Sequence, residues 1–93
     1  MQLAIVIGTV WSTRKEERLV GAKLMIVKPI NVLDESADIL PLIAVDTIGA
    51  GVGEIVLVVG GSSARSALRD LDAPVDAAIV GIVDDKELDR RYR

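Results

Sequence analysis

Cysteine and histidine are absent from this sequence of 93 residues, and aromatic side chains are rare, with one Trp, one Tyr and no Phe. Without Cys or His, the chain can form neither a disulfide nor a zinc site of the usual kinds. Catalysis by a histidine general base, or by a Ser–His or Cys–His pair, is excluded for the same reason. The missing side chains therefore remove several large enzyme classes from consideration.

Long apolar runs and an excess of positive charge are missing as well. No apolar run reaches the ~20 residues that a membrane-spanning helix needs. The N-terminal stretch MQLAIVIGTV lacks the basic flank and the small-residue cleavage site of a signal peptide. The net charge is −3 at pH 7, and two aromatic side chains are few for a surface that stacks bases. We therefore expect no signal peptide, no membrane partner and no nucleic-acid partner.

The sequence is rich in apolar residues, which make up 51% of it and are mainly Val, Ile, Leu and Ala. A chain of this length has room for one hydrophobic core. Runs of β-branched residues predict five strands, because such side chains favour extended backbone. The predicted strands are residues 2–11, 22–28, 39–46, 54–59 and 75–83. Pro29 is expected to end the second strand or to place it at an edge, and Pro41 interrupts the third.

One short helix is predicted after the fourth strand. Its apolar residues follow the i, i+3, i+4, i+7 spacing of one helix face, and Ser62 or Ser63 is the expected N-cap. The residues of that face are Ala64, Ala67, Leu68 and Leu71. A doubly wound parallel sheet would need a helix after most strands. The sequence therefore predicts a mainly β fold, a small five-stranded OB-like antiparallel β-barrel with one short α-helix between strands four and five.

Three charged or polar segments lie outside the predicted strands and helix. Residues 12–20 are interpreted as a solvated loop or hairpin arm, and residues 31–38 as a polar connection that has room for a helical turn. Residues 85–93 are a charged tail, predicted to be either a helical turn or disordered. We therefore divide the chain into a barrel domain at residues 1–84 and a C-terminal tail at residues 85–93.

Strands one, four and five carry apolar side chains on both faces. In the fifth strand, Ala77 and Ile79 face one side while Ala78 and Val80 face the other. A single small barrel has one interior, so the second apolar face needs another cover. These strands therefore predict a homo-oligomer in which a neighbouring subunit covers that face.

The connection between strands three and four has glycine at alternate positions, Gly49, Gly51 and Gly53, and ends at Glu54. Glycine reaches positive φ without steric cost and permits close backbone approach, so the spacing predicts a tight, crowded turn. A dinucleotide-binding loop is not indicated, because the spacing is G-x-G-x-G and a strand follows where a helix should. If Gly51 holds positive φ, Gly51→Val should cost about 1–3 kcal/mol of stability.

Acidic residues near the strand ends are interpreted as turn caps and edge charges, and a carboxylate pair for acid–base work is the alternative. These residues are Asp46, Glu54, Asp76 and Asp84. A second acidic group, Asp34, Glu35 and Asp38, has no fixed ligand spacing and is interpreted as solvated. We interpret residues 60–63 as a strand-to-helix turn and not as an anion site. The sequence thus leads us to expect no catalytic, cofactor or metal site.

Four sequence blocks together resemble the EutN/CcmL family of bacterial microcompartment vertex proteins. The most specific is the third, which contains the pattern D-x-x-G-A-G-x-G-E at residues 46–54. The blocks are IVIGTVWSTRK at 5–15, LVGAKLMIVKP at 19–29, AVDTIGAGVGEIVLVVGGSSAR at 44–65 and PVDAAIVGIVD at 74–84. The resemblance therefore runs from the first strand to residue 84, and the tail departs from it.

The resemblance implies a homopentamer that caps the fivefold vertices of a polyhedral shell around metabolic enzymes, without catalytic activity of its own. The implied partners are the chain itself and the hexameric tiles of the same shell, in the bacterial cytoplasm. The glycine turn is then a candidate central-pore or subunit-interface loop, formed by Gly49, Ala50, Gly51, Val52, Gly53 and Glu54. Three alternatives stay open: a turn that only bends the barrel, an OB-like binding module for nucleic acid or a small ligand, and a small enzyme subunit.

Overall fold

The structure is a computed structural model, and it describes residues 1–11, 21–69, 74–85 and 87–92. Its strands are β1 (Gln2–Val10), β2 (Lys23–Pro29), β3 (Leu42–Asp46), β4 (Ile55–Gly60) and β5 (Ala77–Val83). One helix, α1 (Gly61–Ala67), links β4 to β5, and a 3-10 turn (Arg90–Tyr92) lies near the C-terminus. The arm interpreted at residues 12–20, and Leu71 of the helix face, lie outside the described residues.

The five strands close into a barrel in the order β1-β2-β3-β5-β4. Neighbouring strands are antiparallel except β3 and β5, which pair in parallel at Val45–Ala78 and Asp46–Ile79. Closure leaves the sheet without a free edge. The prediction of a mainly β, five-stranded barrel with one helix between the fourth and fifth strands is therefore confirmed.

The barrel interior is filled by small and β-branched side chains. Alternate residues of β1 and β2 point inward, as predicted, and Ala4, Val6, Met25 and Val27 are at most 1% exposed. The remaining buried residues of this core are Ala44, Ala50, Val56, Val58, Ala77 and Ile79. The diameter of a barrel grows with the number of strands, and the interior of an eight-stranded barrel is just wide enough for side chains to fill it. The interior of this five-stranded barrel is narrower. The narrow interior explains why the core consists of Ala, Val, Ile and Met without any aromatic residue.

Helix α1 covers part of the outer surface of the barrel. Its residue Ala64 is fully buried in a second cluster with Val45 and Ala78, where β3 and β5 meet. Arg65 Nη1 donates a hydrogen bond to the carbonyl oxygen of Val75 at 3.2 Å, which ties the segment before β5 to the helix. The helix therefore covers the outer face where β3 and β5 meet, whereas Ile7 of β1 and Ile43 of β3 are about half exposed in the described part of the chain.

Two predicted strand starts are wrong by two or three residues, and the backbone explains both; the other strand boundaries that differ are displaced by one residue. β3 begins at Leu42 and not at residue 39, because Pro41 lacks the N–H that a ladder requires. β5 begins at Ala77 and not at residue 75, because its partner β4 ends at Gly60, which pairs with Ala77. β2 includes Pro29, one residue beyond the predicted range of 22–28, and it ends there, so the expectation that Pro29 ends the strand is confirmed.

The predicted cap of the helix is also wrong. The N-cap of α1 is Gly60, not Ser62 or Ser63, and no side chain caps the helix. β4 continues to Gly60, which pairs with Ala77, and the Gly61 N–H donates to the carbonyl of Asp76 at 3.0 Å. The helix therefore starts directly at the end of the strand, before either serine can take the cap position.

The described part of the tail forms a local turn. The backbone N–H of Arg91 donates to Asp89 Oδ1 at 2.9 Å, and its guanidinium lies 5.5 Å from the centroid of the Tyr92 ring. The side-chain hydrogen bond from Arg91, followed by the backbone one, lowers the pKa of Asp89. In the part of the chain that the structure describes, no helix has the length and apolarity to span a bilayer.

Candidate functional site: the glycine loop

The glycine loop, residues 47–54, connects the end of β3 to the start of β4. Asp46, the last residue of β3, organises its first half, because Oδ1 accepts hydrogen bonds from the backbone N–H groups of Ile48 and Gly49, both at 3.0 Å. The Asp46 side chain is 0% exposed. A buried carboxylate is stable only when its oxygens have partners. The loop amides therefore stabilise Asp46, and Asp46 in turn fixes the first turn of the loop.

Lys23 contacts both the loop and the carboxylate. It lies opposite Asp46 in the register of β2 and β3, and Nζ is 3.6 Å from Asp46 Oδ2. The same Nζ donates a hydrogen bond to the carbonyl oxygen of Ala50 at 3.0 Å. Asp46 Oδ2 accepts no hydrogen bond from the described residues, so the lysine is its charge partner there. One half-exposed ammonium group thus bridges the end of β3 and the middle of the loop.

The second half of the loop is held by Glu54 and by β1. The N–H of Gly51 donates to Glu54 Oε1 at 2.6 Å, and the N–H of Glu54 donates back to the Gly51 carbonyl at 3.2 Å. Val6 of β1 accepts from the Gly53 N–H at 2.8 Å and donates to the Glu54 carbonyl at 3.0 Å. The loop is therefore fixed to the barrel at both ends.

Two of the three loop glycines need glycine for their backbone conformation. Gly49 has φ 85° and Gly53 has φ 91°, a region that side chains bearing a Cβ rarely adopt. Gly51 is not among the residues with positive φ, so the predicted backbone strain of Gly51→Val does not apply. A substitution would be strained at Gly49 and Gly53 instead. A Cβ at Gly51 would meet Glu54 Oε1 at 3.3 Å, a tight contact with the side chain that holds it.

Among the described residues of one chain, the predicted crowding is found at Gly51 and not at Gly49 or Gly53. A Cβ at Gly49 or Gly53 would have no neighbour within 4 Å in the part of the chain that the structure describes. Ala50 points into the barrel core and is fully buried, whereas Val52 at the tip is 65% exposed. The loop therefore closes one end of the barrel with Ala50 and presents Val52 and two open glycine positions outward.

Residues 49–54 of the loop were predicted from the sequence, whereas Lys23 was not. The interpretation of Asp46 and Glu54 as turn caps is confirmed, because each carboxylate accepts a loop N–H. The sequence did carry a signal for Lys23, since strand alternation puts it on the same face of β2 as the buried Met25 and Val27. A charged residue at the end of a core-facing row needs a partner, and only the pairing register identifies that partner as Asp46.

The other acidic residues form no comparable centre. A groove of about 220 Å³ on the outer surface is lined by Leu24, Ile43, Val45, Pro74, Val75, Asp76 and Ala77. Among the described residues that line it, Asp76 is the one carboxylate, so the acid–base pair that an enzyme would need is not formed there. Within residues 1–11, 21–69, 74–85 and 87–92, no group of three or more acidic side chains is placed to hold a metal ion.

Comparison with known proteins identifies the family of this fold and loop. The family described as "Ethanolamine utilisation protein EutN/carboxysome" matches residues 1–84, which include every strand, the helix and the glycine loop. The chain belongs to the EutN/CcmL family. The resemblance noted in the four sequence blocks is therefore confirmed.

Individual members of the EutN/CcmL family match along almost their whole length. The carboxysome shell vertex protein CcmL of Thermosynechococcus vestitus is 45% identical over 86 residues, which cover 90% of this chain and 84% of that protein. The bacterial microcompartment shell vertex protein PduN of Salmonella typhimurium is 46% identical over 87 residues, or 90% of this chain and 96% of that protein. The GrpN pentameric microcompartment shell protein from Rhodospirillum rubrum has a solved structure with a TM-score of 0.83 at 48% identity, covering 95% of this chain and 100% of that one.

Proposed function

We propose that this chain is a structural protein that assembles into a ring of five copies and closes the fivefold vertices of a bacterial microcompartment shell. The observation that carries the proposal is the match to named shell vertex proteins over 90% or more of this chain. One of these relatives, GrpN, is described as pentameric. Among the described residues the groove is lined by a single carboxylate, and the carboxylates of Asp46 and Glu54 accept hydrogen bonds from loop amides, which favours a structural role over an enzymatic one.

The outer face of the barrel supports assembly. Residues directly opposite each other on paired strands point to the same side of a sheet. Ile5 pairs with Ile55, which pairs with Val83, and this apolar row lies on the side opposite the buried Ala4 and Val6. A second row of the same outer face is Leu3, Leu57 and Gly81. Both rows are only partly buried in one chain, as expected of a surface that a neighbouring subunit covers.

A ring also constrains which faces meet. In a cyclic ring of five, each contact is heterologous, so one patch must meet a different patch on the next copy. The chain has such a second apolar patch on the outer face of β2 and β3, where Ile26 pairs with the half-exposed Ile43. The proposed ring contact therefore joins the rows on β1, β4 and β5 of one subunit to the β2–β3 face of the next.

In the proposed ring the glycine loops of the five subunits converge near the axis and border a small central opening. The exposed Val52 and the unoccupied space around Gly49 and Gly53 leave room for a neighbouring loop.

The chain lacks cysteine, so Val52→Cys introduces a single thiol. Converging loops bring the new thiols of adjacent subunits within disulfide range, Cα atoms about 4–7 Å apart. Oxidation should then yield covalent dimers on a non-reducing gel.

The matched control is Leu40→Cys, at an exposed leucine that precedes the start of β3, whereas the loop follows the end of β3. It should give no cross-link under the same oxidation. An intact ring of the Val52→Cys variant that forms no disulfide would refute the axial placement and leave the loop as a bend in the barrel.

Hexameric tiles of the same shell are the proposed partners, with the bacterial cytoplasm as the location. Sixfold tiles alone form flat sheets, and a closed polyhedron needs fivefold units at its corners. Shells isolated from the host bacterium should therefore contain this chain together with hexameric tiles. Binding to single-stranded nucleic acid that weakens with added salt, without incorporation into shells, would favour the alternative binding module.

A further inference from the structure

We propose that Lys23 and Asp46 are a positioning pair that sets the conformation of the glycine loop. The two residues lie opposite each other at the ends of β2 and β3, and neither belongs to the six loop residues. The lysine lies outside the D-x-x-G-A-G-x-G-E pattern altogether. Lys23, which is not part of the loop sequence, therefore has a role in setting the conformation of the loop.

The environment of Asp46 requires a cation. Its side chain is 0% exposed, Oδ1 is used by two backbone amides, and Oδ2 accepts no hydrogen bond from the described residues. Removing a carboxylate from water is costly unless its charge is paired. Lys23 Nζ, 3.6 Å from Oδ2, supplies that charge while half of its side chain stays in solvent.

A second contact of Lys23 connects the Lys23–Asp46 ion pair to the loop. Nζ donates to the Ala50 carbonyl at 3.0 Å, and Ala50 is the loop residue whose methyl group is buried in the barrel core. The same ammonium group therefore fixes both the residue that caps the first half of the loop and the residue at its middle. Without it, the Ala50 carbonyl loses its donor and Asp46 stays buried without its counter-ion.

Lys28 provides a matched control on the same strand. Its Nζ lies 3.6 Å from Asp38 Oδ1, the same separation as in the Lys23–Asp46 pair. The Asp38 side chain is fully exposed, however, and exposed ion pairs contribute little because water solvates both partners. Replacing either lysine by methionine removes one charge from β2, and only the change at Lys23 removes the partner of a buried carboxylate.

Hydrogen exchange measured on the full chain, at fixed protomer concentration, tests the pair. In Lys23→Met, we expect exchange of the peptide that covers residues 47–54 to be faster by roughly tenfold, because the loop amides lose a charge-assisted constraint. Exchange of β5 should change much less. Lys23→Arg, which retains a cation and N–H donors, should restore most of the protection, and Lys28→Met should leave the loop unchanged.

Two outcomes would overturn the proposal. One is a Lys23→Met loop that exchanges at the wild-type rate. The other is equal acceleration in the loop and in β5, since that result indicates general destabilisation and not positioning. If Lys23→Met does not fold, failure of Lys23→Arg to keep the loop protected in a folded chain overturns it.

The inference rests on the proposed function only in its last step, that a correctly shaped loop is needed at the subunit contact. The fraction of Lys23→Met in rings, measured by analytical ultracentrifugation, should fall below that of Lys23→Arg. A wild-type chain that forms no ring would refute the proposed function, and the exchange comparison would still decide whether the pair positions the loop.

Discussion

At the scale of single residues, the positive φ of two loop glycines restricts substitution more than the space around them does. Gly49 and Gly53 have positive φ and no neighbour near a prospective Cβ, whereas Gly51 has ordinary φ and a tight contact with Glu54. The three glycines are equally spaced in the sequence but have different physical roles. Substitutions should therefore separate them.

Gly53→Ala should lower the free energy of unfolding by about 1–3 kcal/mol, because alanine is strained at φ 91°. Gly51→Ala should cost less than half as much, since only the flexible Glu54 side chain must move by a few tenths of an ångström. Urea unfolding of both variants at one fixed protomer concentration measures the difference. A larger loss for Gly51→Ala than for Gly53→Ala would contradict the assignment of positive φ.

The loop also shows what a sequence can specify about a site. The D-x-x-G-A-G-x-G-E pattern was sufficient to predict a turn and to interpret Asp46 and Glu54 as its caps. Which glycines hold positive φ depends on hydrogen bonds to Asp46, Glu54 and Val6, and those bonds form only after β1 packs beside the loop. Lys23 is 27 residues from Ala50, so its role follows from strand register and not from local sequence.

At the scale of strands, the same chain must fill one barrel and present a second apolar surface. β1 and β4 do both by alternation, with Ala4 and Val56 inside and Ile5 and Ile55 outside. Doubly apolar strands were evident from the sequence. Which outward rows are left uncovered depends on where α1 packs, and that required the structure.

Ile43→Lys should leave the isolated barrel folded and abolish the ring. Ile43 is already 51% exposed in one chain, so a lysine there keeps its charge in water until a neighbour approaches. In the proposed contact the charge would be buried without a partner, a penalty of several kcal/mol. Analytical ultracentrifugation measures the loss of rings, and circular dichroism checks that the strands persist.

The control for this substitution is Leu40→Lys, at a leucine that is 85% exposed and lies outside the sheet. It should assemble as the wild type does. Rings of Ile43→Lys that are as stable as wild-type rings would remove the β2–β3 face from the interface.

The wrong element boundaries have a common cause. Ile39 and Leu40 have the composition of a strand, but Pro41 breaks the ladder before β3. Ser62 and Ser63 are good capping residues, but β4 continues until the helix begins. In both cases a backbone constraint overrides local propensity: the missing N–H of Pro41 in the first, and the continuation of β4 to Gly60 in the second.

At the scale of the whole molecule, the barrel is closed by the short parallel contact between β3 and β5, because β4 pairs with β1 and the next strand, β5, lies between β4 and β3. The sequence predicted the number of strands and the single helix, but this order depends on tertiary packing. Each strand of the closed barrel has a neighbour on both sides, which favours self-association through outer-face side chains and the glycine loop over edge-to-edge strand pairing. A ring built by apolar outer rows is consistent with that architecture.

Native mass spectrometry of the full-length chain is the most direct test of the central claim, that the protein is a ring of five identical subunits. The account predicts one dominant species with the mass of five chains, which dissociates to single chains and not to stable dimers, because every contact in such a ring is equivalent. A dominant monomer, dimer or hexamer at micromolar concentration would contradict it.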